Sequence, residues 1–388
     1  MGPLKGVRVI ELAALGPAPF CGMLLADMGA EVIRVDRLSA PDAGELRVNH
    51  RQHVASRGRR SIALDLKKPE GVEVVRRLLS GADILIEGFR PGVTESLGLG
   101  PEDCLALNPR LVYGRMTGWG QDGPLARSAG HDLNYIALSG ALHTIGSRNG
   151  PPVPPLNYVG DFGGGALYLA FGVVSALLEA RQSGRGQVVD AAVLDGVASL
   201  MAFIFTQKAS GLWRDERGSN MADGSRPWNT VYETRDGQHV TIAALEPRFY
   251  RELLARIGLD ADALLDRDDP ANWPALRTRL GETFKSRTRE EWNRLLEGSD
   301  ACYSPVLSPD EATRHPHLVN RQVFVERDGL VQPNIAPRFS RTRPALGRPP
   351  PRPGEHTQAL LTECGFSPQD IARLRECRAI DQGQNQAA

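Results

Sequence analysis

Two short β-branched runs, GVRVIEL at Gly6–Leu12 and EVIRVD at Glu31–Asp36, bracket a stretch of helical spacing from Ala18 to Met28. A strand, a crossover long enough for a helix and a second apolar strand make a βαβ unit, which favours parallel pairing. Further strand candidates at Ser61–Leu64, Asp83–Glu87 and Leu111–Met116 are separated by helical stretches such as Gly71–Leu79. The expected fold class is therefore α/β, a parallel sheet covered by helices. Asp36 ends the second strand where a ribose-binding acid often sits, but the first turn, ELAALGPAP, lacks the GxGxxG that lets a pyrophosphate approach a helix N-terminus. Dinucleotide redox chemistry is not supported.

Beyond VGDFGGG (Val159–Gly165) the chain reads ALYLAFGVVSALLEA, apolar nearly all round, as expected of a helix enclosed by protein. The apolar stretch Val189–Phe205 is expected to add core, and Leu200, Met201, Phe203 and Phe205 read as core in preference to the lining of an apolar ligand site. Composition then turns polar and Gly-bearing across Leu212–Asn229, which reads as a connector. Two β-rich arms about Asp236-Gly237 predict a hairpin, followed by helices at Phe249–Ile257, Trp273–Lys285 and Arg289–Leu296. The expected layout is a large α/β domain over residues 1–211, a connector over 212–228 and a small α+β domain over 229–321. An extended return segment over 322–378, including the Pro- and Arg-rich run Arg341–Pro353, would pack on the large domain, and 379–388 would be a disordered tail.

Lysine plus arginine equals aspartate plus glutamate at 46 each, so there is no general attraction for nucleic acid or an anionic membrane. Cys21, Cys104, Cys302, Cys364 and Cys377 are scattered without a CxxC spacing, so neither a disulfide framework nor a zinc site is expected, and a reducing, cytoplasmic location fits. The longest uncharged segment, Phe162–Leu178, has 17 residues, short of the roughly 20 that span a bilayer. HPH at His315–His317 lacks further ligands at suitable spacing, so no metal is expected.

Chemistry concentrates in GHDLNY, Gly130–Tyr135, and in VGDFGGG. Each sets one proton-transfer group, His131 or Asp161, in a Gly-bordered loop. An imidazole and a carboxylate on opposite faces of a carbon acid are what inversion by removal and return of a proton requires. Taken alone, His131 also reads as a core histidine, Asp161 as a helix N-cap or first-turn acid, and Glu246 as an exposed acid at a strand end. The glycines Gly163–Gly165 are not followed by the Lys-Ser or Lys-Thr of a phosphate loop, so close helix packing or close approach of a substrate is expected there.

The order of GVRVIELA, GFRPGV (Gly88–Val93), GRMTGWGQDGP (Gly114–Pro124), GHDLNY, GDFGGG and PGEHT resembles the family III CoA-transferases of the CaiB/BaiF type, from Gly2 to about Thr357. Within that family it is most similar to the branch that inverts the α-carbon of 2-methylacyl-CoA thioesters. The resemblance implies a Rossmann-like large domain with a smaller α+β domain in an interlocked homodimer, acyl-CoA as substrate and no metal or redox cofactor. It places the catalytic histidine on His131, the catalytic aspartate on Asp161, a histidine-orienting glutamate on Glu246 and an enolate-stabilising backbone N–H near Asp132.

For the CoA thioester the resemblance implies Arg37 for phosphate, Leu64, Asp65, Leu66 and Lys67 on the adenine side, Gly88, Phe89 and Arg90 as a further binding segment, and Gly130, Leu133, Asn134 and Tyr135 around the histidine. Arg59 and Arg60 read equally as a phosphate-binding patch or a solvated loop. Ser96 stands where close relatives can carry arginine. Two rival functions share the resemblance: a CoA transferase with Asp161 as nucleophile, which His131 disfavours, and a non-catalytic acyl-CoA binding protein.

Overall fold

The computed structural model describes residues 2–38, 49–261 and 264–381. The chain divides into two compact units, one of Met1–Ala141, Pro155–Met201 and Gln322–Ala388, the other of Leu142–Pro154 and Ala202–Arg321.

In the first unit six parallel strands, β1 (Arg8–Leu12), β2 (Glu31–Asp36), β3 (Arg59–Ala63), β4 (Ile84–Glu87), β5 (Val112–Thr117) and β6 (Val188–Ala192), lie in the order β3-β2-β1-β4-β5-β6. Val9 pairs with Val32 on one side and Ile84 on the other, so β1 and β4 form the point where strand order reverses. The strands read as near-continuous apolar runs because helices cover both faces. Ile10, Leu12, Ile33, Ile62, Leu85 and Tyr113 are buried together with Leu78 and Leu79 of the helix Pro69–Leu79. Each fully buried Ile or Leu contributes about 1.5–3 kcal/mol.

The helix α1, Pro17–Asp27, follows β1; Gly16 before it has φ 73°, a left-handed value suited to glycine, and Pro17 opens the helix, where no N–H is needed. A π-helical segment, Tyr158–Ala166, runs directly into an α-helix, Leu167–Ser183. Together these 26 residues are long and apolar enough to cross a membrane by length and composition, more than the 17 uncharged residues suggest. Leu169 and Val173 pack onto Gly114 of β5. The expectation of a helix enclosed all round is corrected: Leu167, Phe171 and Leu178 are exposed, Phe171 at 74%, because the sheet covers one face alone. Leu200 is exposed too, whereas Met201 is buried.

The returning chain joins this unit but is not extended throughout. It forms an antiparallel hairpin, Phe324–Arg327 with Leu330–Pro333, and two helices, Thr357–Glu363 and Pro368–Glu376, the latter started by Ser367 and Asp370 capping each other. Arg341–Pro353 carries neither helix nor strand. The expected tail is corrected at its start: Ala379 and Ile380 are buried in the core, and the Ala379 carbonyl accepts from the Asp65 N–H at 2.9 Å. Residues 382–388 lie outside the described residues.

The second unit holds the predicted hairpin, Asn229–Glu233 with His239–Ala243, turning at Gly237 and extended by a third strand, Tyr303–Pro305. Helices Pro247–Ile257, Trp273–Lys285 and Arg289–Leu296 pack on it around Leu253, Leu280, Phe284 and Trp292. The longer stretch of this unit begins at Ala202, earlier than the expected connector, because the helix Ala202–Ala209 is tied to the loop after it: Lys208 pairs with Asp215 at 2.8 Å. Phe203 and Phe205, expected in the core, are exposed on that short helix. The segment Leu142–Pro154 belongs here because Arg217 donates to the carbonyls of His143 and Gly150.

Candidate active site

A cleft of about 1200 Å³ opens at the carboxyl ends of the parallel strands, within the first unit. Its walls are the turns after β1 (Ala13–Pro17), β2 (Asp36, Arg37), β4 (Gly88–Pro91) and β5 (Thr117–Trp119), with Gly130–Asp132, Tyr135 and Asp161. This is where ligands bind in doubly wound sheets, because strand-order reversal separates the adjoining turns. The volume is somewhat above the roughly 300–1,000 Å³ of ordinary small-molecule sites.

His131 stands just ahead of the helix Asp132–Leu138, where its backbone N–H donates to Asn134 Oδ1 at 3.0 Å. Asn134 therefore fixes the start of the helix, and neither it nor Leu133 lines the cleft; both are exposed. Asp132 turns its carboxylate inward and accepts the Asp161 backbone N–H at 2.6 Å. Gly160 makes room for this, since a Cβ there would stand 2.7 Å from Asp132 Cγ. Tyr135 donates its hydroxyl to the Gly130 carbonyl and sets its ring edge-on to Trp119, centroids 4.7 Å apart.

Burial, and next the neighbouring Asp132 charge, push the Asp161 carboxyl up to about 6, against the opposing influence of His131. Burial also raises Asp132, with the Asp161 N–H opposing it. Gly164 and Gly165 serve close packing, against Val197 and against Pro17 and Val193 respectively.

Gly88, Phe89 and Arg90 line the cleft; Glu87 accepts the Phe89 N–H at 2.7 Å and so shapes their turn. Arg37 and Arg90 line the cleft and are exposed there. Leu64, Asp65, Leu66 and Lys67 follow β3 at the same sheet edge but do not line the cleft: Leu64 is core, and Asp65 closes a turn by accepting the Lys67 N–H at 3.0 Å. Arg59 is corrected outright. Its guanidinium is fully buried, 2.6 Å from Glu11, because Arg59 begins β3 and points inward. Arg60 points the other way and pairs with Glu31 and Glu363. Glu246 is exposed and precedes the helix Pro247–Ile257 of the second unit. Ser96 donates to the Val93 carbonyl at 2.7 Å and is not a cleft residue.

Sequence reading missed Arg34, His50, His53 and Ser56 in the wall. Arg34 had a signal, a lone cation inside an apolar strand; it pairs with Asp36 at 3.0 Å and donates to Ser56 at 2.9 Å. Among the described residues no group of three or more His, Cys, Asp or Glu side chains is placed to hold a metal ion.

The model of CoA-transferase family III matches residues 4–357. A protein named alpha-methylacyl-CoA racemase from Mus musculus is 45% identical over 97% of each chain. One of the same name from Homo sapiens is 42% identical over 99% of each. The crystal structure of a CAIB/BAIF family protein from Brucella suis superposes with a TM-score of 0.80 at 28% identity, covering 94% of this chain and 99% of that one. Matched by the family model over nearly all its length, the chain belongs to CoA-transferase family III.

Proposed function

We propose that the protein is an alpha-methylacyl-CoA racemase that inverts 2-methylacyl-CoA thioesters by two-base proton transfer. The observation that carries this reading is a single cleft lined by both His131 and Asp161, the latter with a carboxyl pushed up to about 6. Such a group exchanges protons readily near neutral pH, as an acid–base catalyst must. The names of the mouse and human relatives support the same reading.

In the proposed reaction one of the two groups takes the α-proton, and the C–H electron pair moves into the thioester as an enolate. The other group, already protonated, delivers its proton to the opposite face, and the enolate pair forms the new C–H bond. The backbone N–H of Asp132 is assigned to the enolate oxygen, where a fixed donor acts most strongly on developing charge. Arg37 and Arg90 are assigned to CoA phosphates. Proton transfer alone inverts the centre, so the proposal includes no metal or redox cofactor, and it places the enzyme in the cytoplasm. It also includes a homodimer, supported by the exposed apolar face of Leu167, Phe171, Val174 and Leu178, with Glu246 orienting His131 of the partner subunit.

The test tracks one epimer of 2-methylacyl-CoA by NMR in deuterated buffer. α-Deuterium incorporation with drift toward both epimers, reduced about 10²- to 10⁴-fold in His131→Ala and Asp161→Asn, is expected. Transfer of CoA to an added carboxylate without epimer drift would instead make Asp161 a nucleophile. Sedimentation checks the dimer: a fully active monomer at micromolar concentration excludes a shared site.

A further inference from the structure

Arg59 and Glu11 have no exposed surface. Arg59 Nε donates to Glu11 Oε2 at 2.6 Å, and its other guanidinium nitrogens donate to the carbonyls of Pro19 and Ala55. These acceptors belong to β1, to the first turn of α1 and to the 3-10 turn Val54–Ser56. Each element leads into the cleft wall: β1 into Ala13–Pro17, α1 from Gly16 and Pro17, the turn through His53 and Ser56. One guanidinium therefore ties three elements, and through them two segments of the cleft wall, together from behind.

Space is kept for it, since a Cβ on Gly22 would stand 2.5 Å from Arg59 Nη2. Such an ion pair is a poor source of stability, because desolvation offsets the attraction and apolar replacements are often neutral. Glu11 Oε1 even lacks a hydrogen-bond partner. What the clamp does secure is position. The start of α1 meets the π-helical segment at three places: a Cβ on Gly16 would be 3.5 Å from Asp161 Oδ2, Pro17 Cβ lies 2.9 Å from the Cβ position of Gly165, and Phe20 stacks on Phe162 with centroids 4.4 Å apart.

We infer that Arg59 is a positioning residue that, through Pro19 and the start of α1, holds the wall enclosing Asp161. The inference rests on Asp161 being one of the two proton-transfer groups. The titratable groups around Asp161 are His131, Asp132 and Tyr135 of the facing helix; the start of α1 brings Gly16, Pro17 and Phe20, and Asp195 on the packed helix Val193–Leu200 is exposed.

The experiment is ¹³C NMR titration of the Asp161 carboxyl, assigned with Asp161→Asn, in the wild type and in Glu11→Leu/Arg59→Met, which removes both buried charges. Loosening α1 admits water, so the Asp161 midpoint is expected to fall by about one pH unit. Epimer inversion should fall about tenfold in kcat, with KM within about twofold, as misplacement of a catalytic group predicts. An unchanged midpoint in the folded double variant overturns the inference. If that variant does not fold, Arg59→Lys decides: the ammonium keeps the Glu11 pair but not the three-way fork, and an unchanged midpoint there overturns the inference equally. A shifted midpoint in a protein without racemase activity would sink the functional reading and leave the positioning intact.

Discussion

The backbone N–H of Asp161 donates to Oδ1 of Asp132 at 2.6 Å, so the π-helical segment that carries Asp161 and the start of the helix that follows His131 are joined by one hydrogen bond. Asp132 directly follows His131, and the bond therefore sets the separation of His131 from Asp161 across the cleft. It also puts two carboxylates side by side, and the Asp132 charge helps to raise Asp161.

Asp132→Asn and Asp132→Ala separate these two effects. The asparagine retains an acceptor for the Asp161 N–H but loses the charge, so the pH profile of α-proton exchange should move to lower pH with the rate reduced about threefold to tenfold. The alanine leaves a partly buried N–H unpaired, and exchange should fall about a hundredfold. Equal rates in the alanine variant and the wild type would show that the bond does not set the spacing.

Gly160→Ala probes the same joint from the other side. Its Cβ would stand 2.7 Å from Asp132 Cγ and 3.0 Å from Ile136 Cγ2, and Ile136 is fully buried. One of the two must shift, with an expected loss of about 1–3 kcal/mol in stability and at least a tenfold fall in exchange. Denaturant melts beside exchange rates measure both; a variant as stable and as fast as the wild type would show that the loop relaxes freely.

Asp161→Asn should stabilise the protein at neutral pH while abolishing most activity. The folded carboxyl sits at about 6 and an unfolded one near 3.9, so the folded state disfavours the charge. The stability Asp161 contributes is complete below about pH 4 and is lost as pH rises through about 6. Asparagine has no such loss, and the advantage above pH 6 should be about 1 kcal/mol after allowing for solvent screening of a partly exposed group. Urea unfolding at pH 4, 5, 6 and 7.5 reads the difference; a gap that is constant with pH would mean that the carboxyl is not raised.

Strands and helices bounded by turn residues were legible to within a residue or two. β2 runs over Glu31–Asp36 as the spacing predicts, and the helix Trp273–Lys285 begins and ends where its pattern does. Arg59 was misread because β3 starts two residues before its apolar run, and strand alternation sends Arg59 inward and Arg60 outward. The outer face of Leu167–Ser183 was misread because an all-round apolar sequence does not say which face its own chain covers. His131 and Asp161 were found through ordered motifs, whereas His53 enters the cleft through a short turn with no local signature.

Tyr135→Phe tests how firmly the histidine loop is held. The ring is confined by Trp119 and by two glycines; a Cβ on Gly130 would lie 2.8 Å from Tyr135 Cε1, and one on Gly118 would overlap the ring. Phenylalanine keeps that packing and removes the hydroxyl donor to the Gly130 carbonyl, one residue before His131. Loss of one such bond costs about 1 kcal/mol, which converts to roughly a fivefold fall in kcat/KM if the loop's position is what the bond secures. Gly118→Ala, which displaces the ring itself, should cost far more, about a hundredfold, by moving His131 out of line. If Tyr135→Phe and Gly118→Ala were equally mild, the loop would be held by the Asn134 cap at His131 rather than by the tyrosine.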